Sequence, residues 1–173
     1  MLLQSNRPSD RSDVQVLRDI RFGFLCPYKV AGMGEPWFEK MAQTQRLLAA
    51  QGIGGILTLT EDDLYGSLHR DFGFIHHHEP IDDTCPPTTE GMDRAIAFID
   101  KCLDDNRGVA VHCQEGRGRT GTVLCGWVGL KETLSPKEAI IRIHELRWET
   151  VLTPSQKSFL RKYLDRSPTN RQI

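Results

Sequence analysis

The fold is decided by residues 109–121, which read Val-Ala-Val-His-Cys-Gln-Glu-Gly-Arg-Gly-Arg-Thr-Gly. The apolar run at the start is typical of a buried strand, and the apolar residues 123–128 after the stretch indicate a buried helix. Between them, Gly116 and Gly118 permit a tight turn. The stretch therefore predicts a strand, a turn and a helix in succession, and α/β proteins commonly carry their chemistry where a strand ends in this way.

The turn carries a cysteine at its start and an arginine at its end. A loop that leads into a helix can present several backbone N–H groups to an anion, and the planar fork of Arg119 adds further donors. The same positive field favours the thiolate form of Cys113. We therefore expect an oxyanion cradle with a nucleophile at its floor, in which the phosphate-binding residues are Gln114, Glu115, Gly116, Arg117, Gly118 and Arg119.

The remaining elements follow from apolar patterning. Short apolar runs predict two more strands, over residues 56–59 and near residues 74–78. Helical spacing predicts a helix over residues 37–51 and three more that begin after the capping residues Thr88, Ser135 and Thr153. Strands that alternate with helices and then give way to helices predict a single-domain α/β fold, a mostly parallel twisted sheet flanked by helices.

Length and composition narrow the class of protein. A chain of 173 residues suits one domain, which we place at residues 14–164 between a polar, flexible lead-in (1–13) and a tail (165–173). A net charge of −1 provides no global field that would attract nucleic acid or an anionic membrane. Five unpaired cysteines and a start without signal-peptide character indicate a soluble, cytoplasmic protein, which we expect to be a monomer.

A family resemblance agrees with these predictions. His112, Cys113, Arg119 and Thr120 match the H-C-x5-R-[ST] signature of the cysteine-based protein tyrosine phosphatase superfamily. The order of elements over residues 22–164 resembles the small atypical dual-specificity branch. Residues 30–36 are similar to the early turn beside the substrate in that branch. The resemblance implies a phosphatase that works on phosphorylated protein without a metal ion or other cofactor.

The resemblance also assigns further roles. Residues 80–87 look like the general-acid loop, and the resemblance implies that Asp83, 30 residues before Cys113, is the acid. Asp82 is the rival, because neighbouring residues of an extended segment point to opposite sides. Supporting roles fall to His112, Thr120 and Gln156, the last from a late turn in which some members use a glutamine to position water.

Other noticeable residues receive simpler interpretations. Neighbouring side chains of a strand diverge, so His76, His77 and His78 are expected to be strand residues near the site rather than metal ligands. We expect a solvated turn at residues 61–63. We expect Arg142 and Arg147 to lie on an exposed helix face. We expect Trp127 and Trp148 to be packing residues.

The substrate is left open by the sequence. Lipid-directed members of the superfamily often carry two basic residues in the loop, whereas this chain pairs Arg117 with Glu115, which would repel a polyanionic headgroup. Phosphotyrosine, or phosphotyrosine together with phosphoserine and phosphothreonine on proteins, is the favoured substrate. The alternatives are a phosphoinositide phosphatase and a phosphoprotein-binding module without turnover, with a rhodanese-type sulfurtransferase as a more distant rival.

Overall fold

The computed structural model describes residues 11–166. Within these residues the helices are α1 (Arg11–Asp19), α2 (Met41–Ala50), α3 (Gly66–Asp71), α4 (Thr89–Asp104), α5 (Gly118–Lys131), α6 (Pro136–Leu146) and α7 (Pro154–Asp165). The strands are β1 (Gly23–Phe24), β2 (Val30–Gly34), β3 (Ile53–Thr58), β4 (Ile75–His78) and β5 (Gly108–Cys113). A short 3₁₀ helix over Phe38–Lys40 leads into α2.

The five strands form one sheet in the order β1-β2-β5-β3-β4, in which only the β1–β2 pair is antiparallel. Side chains of β5 alternate between the two faces: Val109 and Val111 face α4 to α7, whereas Ala110 faces the cluster that contains Ile20 and Leu48. The sheet therefore lies between two apolar layers. The predicted α/β class with a mostly parallel sheet is confirmed.

Local signals placed three helices well. The Thr88 hydroxyl accepts a hydrogen bond from the Gly91 N–H at the start of α4. Ser135 and Thr153 both form capping boxes, with Glu138 and Gln156 respectively. Such caps satisfy N–H groups that a helix start leaves without an acceptor, and each contributes about 1 kcal/mol.

Several expectations need correction. Residues 30–34 form a fully buried strand instead of a turn, and the predicted helix over 37–51 is split into the 3₁₀ helix and α2. The lead-in (1–13) and tail (165–173) lie outside the described residues except at their inner ends. At these inner ends, residues 11–13 belong to α1 and Asp165 belongs to α7. No helix among residues 11–166 has the length and apolarity needed to cross a membrane.

Candidate active site

The predicted strand, turn and helix are β5, a loop over residues 114–117, and α5. Parallel pairing places Gly34 at the end of β2 beside Cys113 at the end of β5. Cys113 is buried, with 2% of its surface exposed, and the Thr120 hydroxyl donates a hydrogen bond to its Sγ over 3.2 Å. The nucleophile predicted from sequence therefore lies at the carboxyl edge of the sheet, at the base of the loop.

Three successive carbonyl groups of the loop are held by partners outside it. The Gln114 carbonyl accepts from the Glu35 N–H at 3.0 Å, and the Glu115 carbonyl accepts from the Arg21 guanidinium at 3.1 Å. The Gly116 carbonyl accepts from Arg147 at 3.1 Å. In a trans peptide the N–H points opposite to the C=O. The amides that follow these carbonyls are thus turned away from the outer partners, as an anion-binding loop requires.

Gly116 makes this loop geometry possible. Its φ of +70° lies in the left-handed region that side chains disfavour. A Cβ at this position would also meet the backbone of Met33 at 2.4 Å. The loop is therefore pressed against β2, and only glycine fits both the conformation and the space.

Arg119 is the charged centre of the site. Its side chain is 2% exposed, and its Nη1 donates to the Glu61 carboxylate at 2.5 Å and to the Ile81 carbonyl at 3.0 Å. Its Nη2 lies 3.2 Å from Oδ1 of Asp83. Burial opposes the positive charge, but the Glu61 hydrogen bond and the charges of Cys113, Glu61 and Asp83 prevail and raise the pKa of Arg119. The guanidinium stays cationic beside the sulfur.

Of the two neighbouring aspartates, Asp83 and not Asp82 contacts Arg119. Glu61 links the two segments, because its Oε2 binds Arg119 while its Oε1 accepts from the Asp83 N–H at 2.8 Å. Its own backbone N–H, Arg119 and the Asp83 N–H together lower the pKa of Glu61. The structure thus brings Cys113, Arg119 and Asp83 together, while the role of Asp83 as the acid stays a prediction.

Comparison with known proteins assigns the family. The family model described as "Polymorphic toxin system, DSP-PTPase phosphatase" matches residues 31–131, more than half of the chain. The chain belongs to the DSP-PTPase phosphatase family. The chain is 32% identical over 101 residues to cyclin-dependent kinase inhibitor 3 of Sus scrofa, and the match covers 57% of this chain and 48% of that protein.

Two further comparisons agree with this family. The dual specificity protein phosphatase CDC14C of Homo sapiens is 32% identical over 148 residues, covering 85% of this chain and 32% of that protein. The crystal structure of Tk-PTP in its active form superposes with a TM-score of 0.75 at 26% identity, covering 84% of this chain and 97% of that one. The chain spans about half the length of the first curated relatives that it matches.

Behind the loop of the phosphatase lies a buried group of histidines. His112 and His76 share the Thr58 hydroxyl, with ring-nitrogen distances of 2.8 Å and 2.9 Å. Burial, together with the neighbouring His69 and His76, lowers the pKa of His112 to about 3. His112 is therefore neutral and supports the loop from within the core, and it is not placed to titrate as a catalytic base near neutral pH.

The three successive histidines of β4 diverge, as predicted. His76 binds Thr58, and His78 binds the Thr60 carbonyl at 2.8 Å on the same side. His77 points the other way and stacks on Phe98. They share no common centre and are strand residues that pack around the site.

Gln156 ties the acid loop to α7. Its Nε2 donates to the Cys85 carbonyl at 3.1 Å, and its Oε1 accepts from the Thr153 N–H at 2.9 Å. The side chain is fully buried next to Gly118, at the start of α5. Gln156 thus lies beside the catalytic loop, but both ends of its amide are engaged, and its predicted role in positioning water stays a prediction.

Arg147 was assigned to an exposed helix face, and this expectation is wrong. The residue is 2% exposed and lies beneath the loop, where Nη1 donates to the Arg21 and Gly32 carbonyls and Nη2 to the Gly116 carbonyl. Burial lowers the pKa of Arg147. A Cβ at Gly32 would meet its Cζ at 2.8 Å, so a glycine in β2 creates the space for the guanidinium.

Two other interpretations need correction. Trp127 packs in the core as expected, but Trp148 is 75% exposed. Residues 61–63 are exposed, as expected of a solvated turn, but the Glu61 carboxylate also binds Arg119. The position of Glu61 just past the end of β3 could have indicated a place in the site, because the carboxyl ends of parallel strands meet at one edge of the sheet. No comparable local signal marked Arg147.

Proposed function

We propose that this phosphatase hydrolyses phosphate monoesters on proteins, phosphotyrosine foremost, through a phosphocysteine intermediate. The observation that carries the proposal is the loop in which the carbonyls of Gln114, Glu115 and Gly116 are all held from outside. Amides turned the other way, over a buried sulfur and beside a cationic Arg119, form a receptor for a tetrahedral dianion. Preorganised donors of this kind stabilise charge that develops in the transition state.

In the first step the Cys113 thiolate attacks phosphorus, so that an S–P bond forms while the ester P–O bond breaks. The leaving oxygen takes a proton from Asp83. Phosphate bound to Arg119 displaces Asp83 from the ion pair seen here at 3.2 Å, which frees the carboxyl group to approach that oxygen. A carboxylic acid in this role typically accelerates the step by about 10²–10⁴-fold.

In the second step a water oxygen attacks phosphorus and the S–P bond breaks. Asp83, now ionised, takes the proton of the water, and inorganic phosphate forms. Cys113 leaves as a thiolate, stabilised by the hydrogen bond that Thr120 donates to its sulfur. The cycle returns every group to its starting state, and this chain's own residues supply each proton transfer.

The charges in the loop favour a monophosphate over a polyphosphorylated lipid. Arg117 is the cation among the variable positions, and its Nε is used by the Glu149 carbonyl at 3.0 Å. Glu115 is exposed and pairs with Arg21 at 3.1 Å. One relative, phosphatidylglycerophosphatase and protein-tyrosine phosphatase 1 of Rattus norvegicus, is 25% identical over 129 residues, so a lipid phosphate stays as the second candidate.

The proposed partners are thus phosphorylated proteins, with phosphate or another oxyanion in the site and neither nucleic acid nor a membrane as a ligand. All five cysteines are free thiols, which suits a reducing compartment, and we propose a cytoplasmic monomer.

The test compares phosphate release from para-nitrophenyl phosphate, a phosphotyrosine peptide, a phosphothreonine peptide and a phosphoinositide in micelles. We expect turnover of the first two, complete loss in Cys113→Ser, and retention in Cys102→Ser, a buried cysteine of α4 away from the site. Acid quenching should trap phosphate on Cys113. A binding module would retain phosphopeptides without releasing phosphate, and preference for the micelles would assign the lipid substrate.

A further inference from the structure

Large apolar side chains are exposed mainly around the catalytic loop. Within residues 11–166 the exposed large hydrophobic residues are Trp37, Phe38, Leu64, Phe72, Ile141, Trp148 and Val151. All except Phe72 and Ile141 belong to three loops that border Cys113. We name this group of five, Trp37, Phe38, Leu64, Trp148 and Val151, the apolar rim.

The first part of the rim follows β2. The Glu35 N–H donates to the Gln114 carbonyl, so the segment that continues into Trp37 is attached to the catalytic loop. Trp37 is 63% exposed and Phe38 67% exposed. The Phe38 ring stacks on Tyr65 at a centroid distance of 6.4 Å, which joins this segment to the loop after β3.

The second part lies in the loop that joins β3 to α3. Leu64, 66% exposed, follows Glu61 by three residues, and Glu61 holds Arg119. The third part lies between α6 and α7, where the Glu149 carbonyl accepts from Arg117 of the catalytic loop. Trp148 and Val151 flank this contact on the chain. Each of the three segments therefore contains a residue that is bonded to the catalytic loop or to Arg119. These residues are Glu35, Glu61 and Glu149.

This arrangement has a consequence for macromolecular substrates. A phosphorylated side chain that reaches buried Cys113 must bring its neighbouring groups across the surrounding loops. Exposed apolar side chains grouped around a site, tryptophan above all, mark surfaces that bind a partner, and truncation of such anchors often weakens binding strongly. The rim thus lies where residues next to the phosphorylated one would bind.

The charges around the site favour a protein partner over a lipid surface. In the loops around Cys113 the exposed carboxylates are Glu39, Glu61, Asp62, Asp63, Asp82, Asp83 and Glu115, and the cations that reach the surface are Arg117 and Lys40, the latter paired with Asp19. Glu61 and Asp83 pair with Arg119, and Glu115 pairs with Arg21. The carboxylates outside these pairs leave an excess of negative charge. Membrane-surface segments combine apolar residues with Lys and Arg that attract anionic lipids. Here the acidic groups would repel an anionic bilayer and attract a cationic segment.

We propose that the physiological substrate is a protein segment that carries large apolar side chains and Lys or Arg within a few residues of the phosphorylated residue. The apolar rim binds the former, and the exposed carboxylates outside the ion pairs with Arg119 and Arg21 bind the latter. This inference rests on the proposed function, because it concerns which phosphoprotein enters the same site.

The experiment uses three phosphotyrosine peptides that differ in their flanks: apolar with basic, apolar with acidic, and Gly/Ser with basic. The rim variant is Trp37→Ser with Trp148→Ser, and the matched control is Phe72→Ser with Ile141→Ser, which removes exposed apolar groups elsewhere. We expect the apolar–basic peptide to have the highest kcat/KM, by about tenfold over either other peptide. The rim variant should lose this preference through KM, and the control should keep it.

Two readouts separate this inference from the proposed function. Turnover of para-nitrophenyl phosphate, abolished in Cys113→Ser, reports the phosphatase reaction by itself. Peptide dissociation constants of the Cys113→Ser protein report recognition without turnover. Equal affinity for all three peptides, or equal loss of preference in the rim and control variants, would overturn the inference even if the small ester is hydrolysed. Rim-dependent sedimentation with phosphatidylglycerol vesicles, without a peptide preference, would also overturn it.

Discussion

Replacement of Arg147 by methionine tests whether this buried guanidinium sets the shape of the catalytic loop. Arg147 makes three hydrogen bonds to carbonyls, those of Arg21, Gly32 and Gly116. Methionine keeps most of the apolar volume but leaves these acceptors without their donor. The loss therefore falls on the attachment of the loop to β2 and to the segment before β1.

The magnitude follows from these contacts. Hydrogen bonds to a charged group contribute ~1.5–3 kcal/mol each, so the three together give roughly 5–9 kcal/mol before other effects. Burial of the guanidinium away from water costs the native protein several kcal/mol, and the lowered pKa of Arg147 reflects this cost. The substitution removes the cost, which offsets part of the loss. We expect a net loss of about 2–4 kcal/mol in the free energy of unfolding. For a domain of this size the melting temperature should fall by about 5–15 °C.

Catalysis should respond beyond the loss of stability. Arg147 fixes the peptide between Gly116 and Arg117, whose N–H points toward the anion site. Full removal of one oxyanion donor costs about 10²–10³ in kcat, and an indirect displacement should cost about tenfold. Measured well below the melting temperature, Arg147→Met should raise the inhibition constant of inorganic phosphate and lower kcat, and Arg147→Lys should restore part of both.

Arg142→Met is the matched control, because this arginine lies on α6, the helix that ends just before Arg147, and its Nε pairs with Glu132 at 3.3 Å at the surface. It should change both the melting temperature and the kinetic constants little. If Arg147→Met behaved like Arg142→Met in stability and in phosphate inhibition, the assigned role of the buried guanidinium would be wrong.

Two remaining predictions concern the acid and the buried histidines. Asp83→Asn should lower kcat by about 10²-fold, more for an alkyl phosphate than for para-nitrophenyl phosphate, while Asp82→Asn should stay within about twofold; steady-state kinetics with the reverse pattern would reassign the acid. Burial lowers the pKa of His69 to about 4 and that of His112 to about 3, from 6.5. Below about pH 6.5 these two histidines therefore bind protons in the unfolded chain but not in the folded state. The free energy of unfolding then falls by about 1.4 kcal/mol per pH unit for each histidine. Urea unfolding from neutral to about pH 4.5 should show this slope, and His69→Gln should reduce it by one proton; an unchanged slope would refute the assignment.

The local part of the site could be predicted from sequence because its determinants are neighbours along the chain. The spacing from Cys113 to Arg119 fixes a loop between a strand and a helix. The capping residues Thr88, Ser135 and Thr153 each bind an N–H group three positions away. Distances of this kind are encoded by residue order, and no contact between remote segments is needed to see them.

Residues 30–34 show the opposite case. The family resemblance of residues 30–36 implied a turn, and glycine, which occurs twice in residues 30–34, is in general depleted in strands. In the folded chain the same glycines allow the close approach of the loop and of Arg147, and pairing with β5 makes the segment a buried strand. The tertiary contact overrode the local preference.

By itself, the order of residues predicted the α/β class and an anion-binding loop between Cys113 and Arg119. The family resemblance added Asp83 over Asp82 as the expected acid. Only the tertiary structure decided that Glu61 joins Arg119 to the acid loop, that Arg147 is buried beneath Gly116, and that Trp148 is exposed. The physical reason is the range of the forces involved. Turns and helix caps are set by neighbouring residues, whereas the burial of a charge depends on which carbonyls a distant strand and loop bring to it.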